Sequence, residues 1–396
     1  MDVTFNVGFL TYGDDLDLIR NGHVTIRDEF IVEAGRGYVS GPNTISLRSV
    51  IAIPGIINAH IHIGDSAFKD VGFGLSLRRL VSYPNGLKHS LLASTPRRYL
   101  VKSMNETLLF LASTGTTVFC DFREGGVDGV DVLREALRNS VIKPVILGRP
   151  SRGIYEVEDL VNCSDGFGIG SVFSYSVSDL EVIREAARRH GKIIAVHVLE
   201  EFSDKDELKL ALKHLEPDIL VHMTYASRSD IAEAKERKLS IIICPRANAS
   251  FSVGTPPLKQ ILDEGVNVAL GTDNVAWNSP NMFREMEYVY KHYRAVLKDP
   301  KFPRAEEIMK MATINAAKAL KIDDEYGSIM EGKRANIVFI GLNDPNISRS
   351  RNVMLSLIHR CEVENIKLTL INGRVAYYNR QVSNKISNVL ERGGLK

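Results

Sequence analysis

The chain carries 396 residues, 44% of them hydrophobic and 25% charged, and its 50 basic and 48 acidic side chains leave a formal net charge of +2. This is ordinary globular composition, and with no long block of one sign it gives no electrostatic basis for a nucleic acid or a membrane surface as partner. No apolar run reaches the roughly 18 residues of a spanning helix, and the acidic start MDVTFNVGFLTYGDDLDL lacks the basic-then-apolar pattern of a secretory signal.

Residues 1–50 read as short strands, Val3–Leu10, Gly22–Ile26 and Phe30–Ala34, with Asn21-Gly22 as a hairpin turn. Next comes Ile51–Asp65, IAIPGIINAHIHIGD, an apolar β-branched run interrupted by Pro54-Gly55 and ending in His60-Ile61-His62. The break shortens the strand to about Gly55–His62. Side chains two apart in a strand share a face, so His60 and His62 project together, as two nitrogen ligands of a divalent metal require. An HxH by itself is more often a chance pair on a half-exposed strand. The long segment 65–95, with Gly72, Gly74 and Pro84-Asn85-Gly86, has the composition of a lid over a substrate.

From there strands and helices alternate. The strands are Thr116–Asp121, Lys143–Leu147, Gly168–Phe173, Lys192–His197, Asp218–His222, Leu239–Cys244 and Val266–Gly271. The helices are Arg97–Ser113, Ser178–His190 (opened by Ser178-Asp179 as cap), Ser227–Lys238, Pro257–Glu264, Asn281–Val296 and Arg304–Leu320. Cys120, Cys163, Cys244 and Cys361 form no CxxC pair and read as reduced thiols of a cytoplasmic protein. Strands return at Ala335–Ile340 and within Ile366–Asn379, the latter broken by Asn372-Gly373. Eight buried strands alternating with helices predict an α/β fold, a (β/α)8 TIM barrel at 53–329. The strand-rich ends, 1–52 and 330–385, predict a small composite β-sandwich domain, with 386–396 as a tail. A doubly wound open sheet is the alternative, but no G-x-G-x-x-G follows the first strand.

Barrel enzymes draw their functional groups from the C-terminal ends of the strands. Those ends carry His60 and His62 on the first strand, His197 on the fifth, His222 on the sixth and Asp273 on the eighth. One such histidine is more often a satisfied core residue; five metal-competent groups at four strand ends are a site.

The pieces PGIINAHIHIG (54–64), HVLEE (197–201), VHMTYAS (221–227), CPRANASFSVGTPPL (244–258) and GTDNVAWNSPNMFREM (271–286) are similar to the amidohydrolase superfamily. Within it they resemble the branch of cytosine deaminase, chlorohydrolases and adenosine-type deaminases. GKRANIVFI (332–340) and LINGRVAYYN (370–379) resemble that superfamily's C-terminal β segments. The resemblance implies His60, His62, His197 and Asp273 as metal ligands, Glu200 as the proton-transfer carboxylate and His222 beside the water or substrate. Three imidazoles and one carboxylate suit one divalent metal per chain, zinc ahead of iron, that leaves room for water. Metal-bound water can fall to a pKa of about 7, and Glu200, in H-x-x-E with His197, can carry its proton to the leaving amine. Adjacent Glu201 competes for that role. Two-metal relatives commonly bridge their ions with a strand-4 lysine; VFSYS (172–176) and GRPS (148–151) offer none, and Lys192 sits at the far end of its strand.

The expected activity is therefore an aminohydrolase, in which metal-bound hydroxide attacks the amine-bearing carbon of a small heterocyclic or nucleoside-like substrate and ammonia leaves. Hydrolytic opening of a cyclic amide or imidazolone is the alternative, and a non-catalytic scaffold a third. Asp121, Arg123, Glu124, Arg149, Arg152, Arg246, Asn248 and Asn274 are candidate substrate contacts near the mouth. Strand-end arginines clamp carboxylates or phosphates, and equally Arg123 or Arg149 could pair with Asp121 or Glu124 in a structural network. The 65–95 segment departs from the tryptophan-containing loop of adenosine-type relatives, since the single tryptophan is Trp277. Relatives of this branch often form homodimers.

Overall fold

Pro54-Gly55 is where the chain passes from one sheet to another. The computed structural model describes residues 2–151, 153–202, 206–380 and 382–383, so Arg152 and the 386–396 segment lie outside the described residues. Before the break come β1 (Asp2–Tyr12), β2 (Asp17–Arg27), β3 (Phe30–Arg36) and β4 (Thr44–Pro54). After it come β5 (Ile56–His62), β6 (Thr116–Arg123), β7 (Lys143–Gly148), β8 (Gly166–Ile169) and β9 (Ile193–Val198). The series continues with β10 (Ile219–His222), β11 (Ser240–Ile243), β12 (Asn267–Leu270) and β13 (Asp273–Asn274). It ends with β14 (Ile337–Gly341), β15 (Ile366–Ile371) and β16 (Arg374–Tyr378).

The two ends of the chain meet in one mixed sheet, ordered β16-β15-β14-β4-β1-β2-β3. Alternate residues of β1 (Val3, Phe5, Val7) join Val24, Ile45, Ala52, Phe339 and Leu368 in a single apolar core. Phe5 and Phe339 touch across it, with ring centroids 4.8 Å apart. The outer face, with Ile51, Ile53, Val338 and Ile340, packs into the core of the barrel helices. Asn372-Gly373 makes the expected turn, both residues having positive φ (49° and 71°). Asn21-Gly22 does not: Gly22 lies inside β2, paired with Val7 and Arg36. A Cβ at Gly22 would come 2.8 Å from Leu10 Cβ, so the glycine answers a close approach and not a turn.

The second sheet runs β5 to β12 in chain order, every neighbour parallel, and β13 then pairs with β5, closing the barrel. The strands are buried on both sides, as parallel strands under helices must be. Val118, Cys120, Phe122, Ala195, Val221, Ile242 and Ala269 fill one core, whereas the alternate residues Phe119, Val196, Leu220, Ile241 and Val268 pack with the helices.

Several boundaries differ from the sequence reading, each for a local reason. The expected helix Arg304–Leu320 is two, Ala305–Met311 and Ile314–Ala319, because Thr313 returns its hydroxyl to Met309 O (2.8 Å) and Ala312 O accepts the amide of Ile57 (2.8 Å). The helix Val177–Arg189 is capped by Ser176, in a reciprocal box with Asp179, and not by Ser178-Asp179. The fourth strand stops at Ile169, and Val172–Ser174 is a 3-10 turn capped by Ser171.

Closure is tight at Gly271, where a Cβ would lie 2.5 Å from His60 Cβ and 2.8 Å from His60 O. Gly271→Ala is expected to destabilise the fold by about 1–3 kcal/mol, the usual cost of overpacking. An unchanged midpoint in chemical denaturation would show that the seam is looser than these distances require.

Candidate active site

At the C-terminal ends of the barrel strands, His60, His62, His197 and Asp273 each present one ligand atom, all within 4.8 Å of one another. A register irregularity in the β5–β6 pairing between Asn58 and Ile61 accompanies the arrival of both β5 histidines at the site, while Ile61 packs outward. His60 Nε2 and His62 Nε2 each lie 3.4 Å from Asp273 Oδ1, and His197 Nε2 lies 3.2 Å from His60 Nε2. All four residues are buried.

The donor set fits a divalent cation. His197 Nδ1 donates to Ile169 O at 2.9 Å, which leaves Nε2 as a lone pair aimed at the cluster. His62 Nδ1 sits 2.8 Å from Glu124 Oε1, the same arrangement with a carboxylate as the outer partner. Burial lowers His62 to a pKa of about 3, with Lys88 adding to the effect. Burial and the neighbouring imidazoles hold His197 well below the ordinary histidine range. Burial alone would raise the Asp273 carboxyl, but the neighbouring His60, His62 and His222 outweigh it and hold the group well below the ordinary carboxylate range. Neutral imidazoles beside one anion are the ligands that zinc-type ions take. These four side chains are therefore a candidate divalent-metal site.

Glu200 and His222 form a second group on the same aspartate, their ligand atoms with that of Asp273 again within 4.8 Å of one another. His222 Nε2 lies 3.5 Å from Glu200 Oε1, and His222 Nδ1 lies 3.0 Å from Asn248 Oδ1. Asn248 donates its amide to Thr224 Oγ1 at 2.9 Å, which orients its oxygen toward the imidazole. His222 then has its proton on Nδ1 and its lone pair on Nε2; burial lowers its pKa to about 4. Strand alternation with Ile219 and Val221 would turn His222 outward. Left-handed backbone at His222 (φ 76°) and Met223 (φ 51°) redirects it. The two adjacent carboxylates separate cleanly: Glu201 accepts from Arg78 Nε at 2.7 Å, and Glu200 faces His222.

A cavity of about 320 Å³ opens above these groups. Its walls include Tyr83, Phe173, Tyr175 and Phe251, with Arg149, Asn274, Ser171 and Glu207 among its polar groups. Part of the 65–95 segment folds over it as two short helices, Leu77–Val81 and Leu87–Ser94, whose Leu77, Arg78, Val81 and Lys88 line the cavity.

Of the proposed substrate contacts, the structure places Arg149 and Asn274 in this wall. Arg149 is buried and donates from Nε to Gly168 O (3.3 Å). Asp121, Arg123 and Glu124 are not in the wall. They form a buried network beneath His62, with Arg123 Nη2 3.0 Å from Glu124 Oε2 and Arg123 Nη1 3.5 Å from Asp121 Oδ2. Asp121 also accepts the amide of Ile63 at 2.7 Å. Of the two readings open in the sequence, Arg123 follows the structural one. Arg246 lies behind the site against Glu285, whose Oε1 accepts the Arg246 amide at 3.0 Å, and burial lifts Glu285 to a pKa of about 7. Asn248 acts on His222 and does not line the cavity.

Sequence reasoning missed Lys88, Asp65 and Tyr175. Lys88 and Asp65 sit in the 65–95 segment, where no periodicity marks a residue as buried. Glu207 was missed too, and its one signal was a position shortly after the fifth strand.

A model of the amidohydrolase family matches residues 51–376. The chain is 33% identical over 372 residues to a putative aminohydrolase of Methanothermobacter thermautotrophicus, an alignment covering 89% of this chain and 94% of that protein. It is 30% identical over a 414-residue alignment to a 5-methylthioadenosine/S-adenosylhomocysteine deaminase of Thermoanaerobacter pseudethanolicus, covering 95% and 94%. Among solved structures, an adenosine deaminase from Xanthomonas campestris with bound zinc superimposes with a TM-score of 0.84 at 20% identity, covering 98% of this chain and 97% of that one. A guanine deaminase from C. acetobutylicum with bound guanine gives 0.82 at 18% identity, covering 95% and 100%. The structures speak for the barrel with its companion sheet. The family match spans both the strand that carries His60 and His62 and the one that delivers Asp273, and the chain belongs to the amidohydrolase family.

Proposed function

We propose that the chain is a mononuclear zinc deaminase that replaces the exocyclic amine of a nucleoside-like heterocycle with oxygen and releases ammonia. The observation that carries this reading is the meeting of Glu200 and His222 at 3.5 Å, beside the His60, His62, His197 and Asp273 cluster. A divalent ion held by those four ligands supplies Lewis acidity that brings a water's pKa near neutrality.

The chain's own residues account for the proton's route. Ionised Asp273 accepts a hydrogen bond from the attacking water. Glu200 carries one proton of the water to the ring nitrogen, where it stays, and then passes the second, from the newly bound hydroxyl, to the departing amine. As the new C–O bond forms and the C–N bond breaks, the amine leaves as ammonia. His222 presents a lone pair at Nε2 because Asn248 engages Nδ1, so His222 and Glu200 between them accommodate a single proton. The aromatic walls suit a flat ring, and Arg149 and Asn274 stand where polar substituents of that ring would reach. The relatives described above, a 5-methylthioadenosine/S-adenosylhomocysteine deaminase, an adenosine deaminase and a guanine deaminase, support this substrate class.

Zinc over iron rests on the three-nitrogen, one-oxygen ligand set and on the zinc found in the Xanthomonas structure. One ion per chain rests on the ends of β7 and β8, which bring no lysine to the cluster; Lys192 turns away and donates to Ser164 O at 2.7 Å. A cytoplasmic homodimer belongs to the same proposal, and four cysteines outside any disulfide support its reducing setting. Among the described residues no helix is long and apolar enough to cross a membrane.

Glu200→Gln is expected to retain the metal and to lose about 10²–10⁴-fold in turnover, the range for a positioned acid–base group. Full activity in that variant would remove Glu200 from the mechanism. Asp273→Ala is expected to lose both bound metal, by elemental analysis, and activity. Screening the zinc-loaded enzyme against purine and pyrimidine nucleosides, their bases and pterins should show stoichiometric ammonia; ring opening without ammonia would replace deamination with cyclic-amide hydrolysis.

A further inference from the structure

Lys88 stands out because it belongs to a lid helix yet is buried, with its ammonium 2.6 Å from Glu124 Oε1 and 3.0 Å from Asp65 Oδ2. Its neighbours on that helix are half-buried or exposed. Glu124 Oε1 is also the oxygen 2.8 Å from His62 Nδ1. One carboxylate oxygen is thus shared by the lid and by the outer nitrogen of a residue in the metal cluster.

We propose that Lys88 is a positioning residue that couples closure of the 65–95 lid to the metal cluster, acting through the Glu124 oxygen it shares with His62. This rests on the metal-site reading above. Outer-shell carboxylates set the orientation and basicity of the histidines they touch. A cation that enters and leaves with the lid therefore decides how Glu124 is held. With the lid closed, Lys88 and Arg123 grip the carboxylate from two sides, at 2.6 Å and 3.0 Å, and His62 is aimed at the cluster. With the lid lifted, Lys88 withdraws, and Asp65 and Glu124 lose their common counter-ion. The state without Lys88 is costly for buried carboxylates, so the ion pair drives closure. Coupling of this kind is reciprocal: metal bound to His62 favours the closed lid, and the closed lid retains the metal.

A plain structural pin would also bury a lysine here, but it would not respond to metal. The lid's other ties make that distinction measurable, since Arg78 holds Glu201 (2.7 Å) and Tyr83 donates to Ser151 O (3.2 Å) away from His62.

The test is hydrogen exchange of peptides covering 77–94 in the zinc-loaded and the chelator-stripped wild-type protein, together with the rate of zinc transfer to a chromogenic chelator. Stripping is expected to speed exchange in this segment, and Lys88→Met is expected to abolish that difference while releasing zinc about tenfold faster, the low end for loss of an outer-shell partner. In a Glu124→Gln background, Lys88→Met should no longer alter zinc release. If lid exchange in the wild type is the same with and without zinc, the coupling is overturned without any variant. Additive effects of the two substitutions on zinc release would overturn the route through Glu124. Metal that is absent from the freshly purified wild type and does not bind on addition would instead overturn the metal-site reading.

Discussion

The site depends on how the barrel closes. Eight parallel strands curl until the last must meet the first, and the meeting is made by two residues, Asp273 and Asn274, paired with Ile61 and His62. That pairing sets the aspartate 3.4 Å from the Nε2 atoms of both His60 and His62. It requires a residue without a side chain at 271, where a Cβ would strike His60. Asn58 reinforces the same seam through Thr272, accepting its amide at 3.1 Å and donating to its hydroxyl at 2.7 Å. The pairing that closes the fold also assembles the candidate metal cluster.

Burial then acts in opposite senses on the two kinds of titratable group. Loss of water disfavours charge, so the imidazoles His62, His197 and His222 become neutral and able to donate lone pairs. Carboxylates in the same surroundings rise unless a cation offsets the loss. Asp65 climbs to about 7 and Asp121 to about 6, because burial outweighs the cations beside them. Glu124 is pushed up by burial as well, but Lys88 foremost, with Arg123 beside it, overcomes this and holds the group well below the ordinary carboxylate range. The anion that faces His62 is therefore maintained by a lysine that comes from the lid.

Local backbone strain collects at the same strand ends. Leu199, His222, Met223 and Asp273 all have positive φ without being glycine, a conformation that costs about 1–2 kcal/mol per residue. Such positions persist where neighbouring contacts over-determine them. Here Met223 N bonds Val198 O at 3.1 Å and Tyr225 N bonds Leu199 O at 3.1 Å, tying the β9 and β10 ends together. The left-handed backbone there redirects His222, which faces Glu200 at 3.5 Å.

By itself the amino-acid sequence determined the alternation of strands and helices, the barrel, and the placing of His60, His62, His197, His222 and Asp273 at strand ends, because strand ends and their spacing are local properties of the chain. It located the break at Pro54-Gly55 for the same reason. Glu200 was marked only by the family resemblance. Tertiary structure alone decided which charges face the cavity. Asp121, Arg123 and Glu124 follow a barrel strand as catalytic residues do, yet they bind one another and Lys88, since a buried ion is stable only with a partner and the partner comes from a distant segment. It also gave Glu200 and Glu201, neighbours of one chemistry, different surroundings: Glu201 accepts from Arg78 and Glu200 faces His222. Register within a strand is written in its pattern; the pairing of charges across segments exists only once the segments have met.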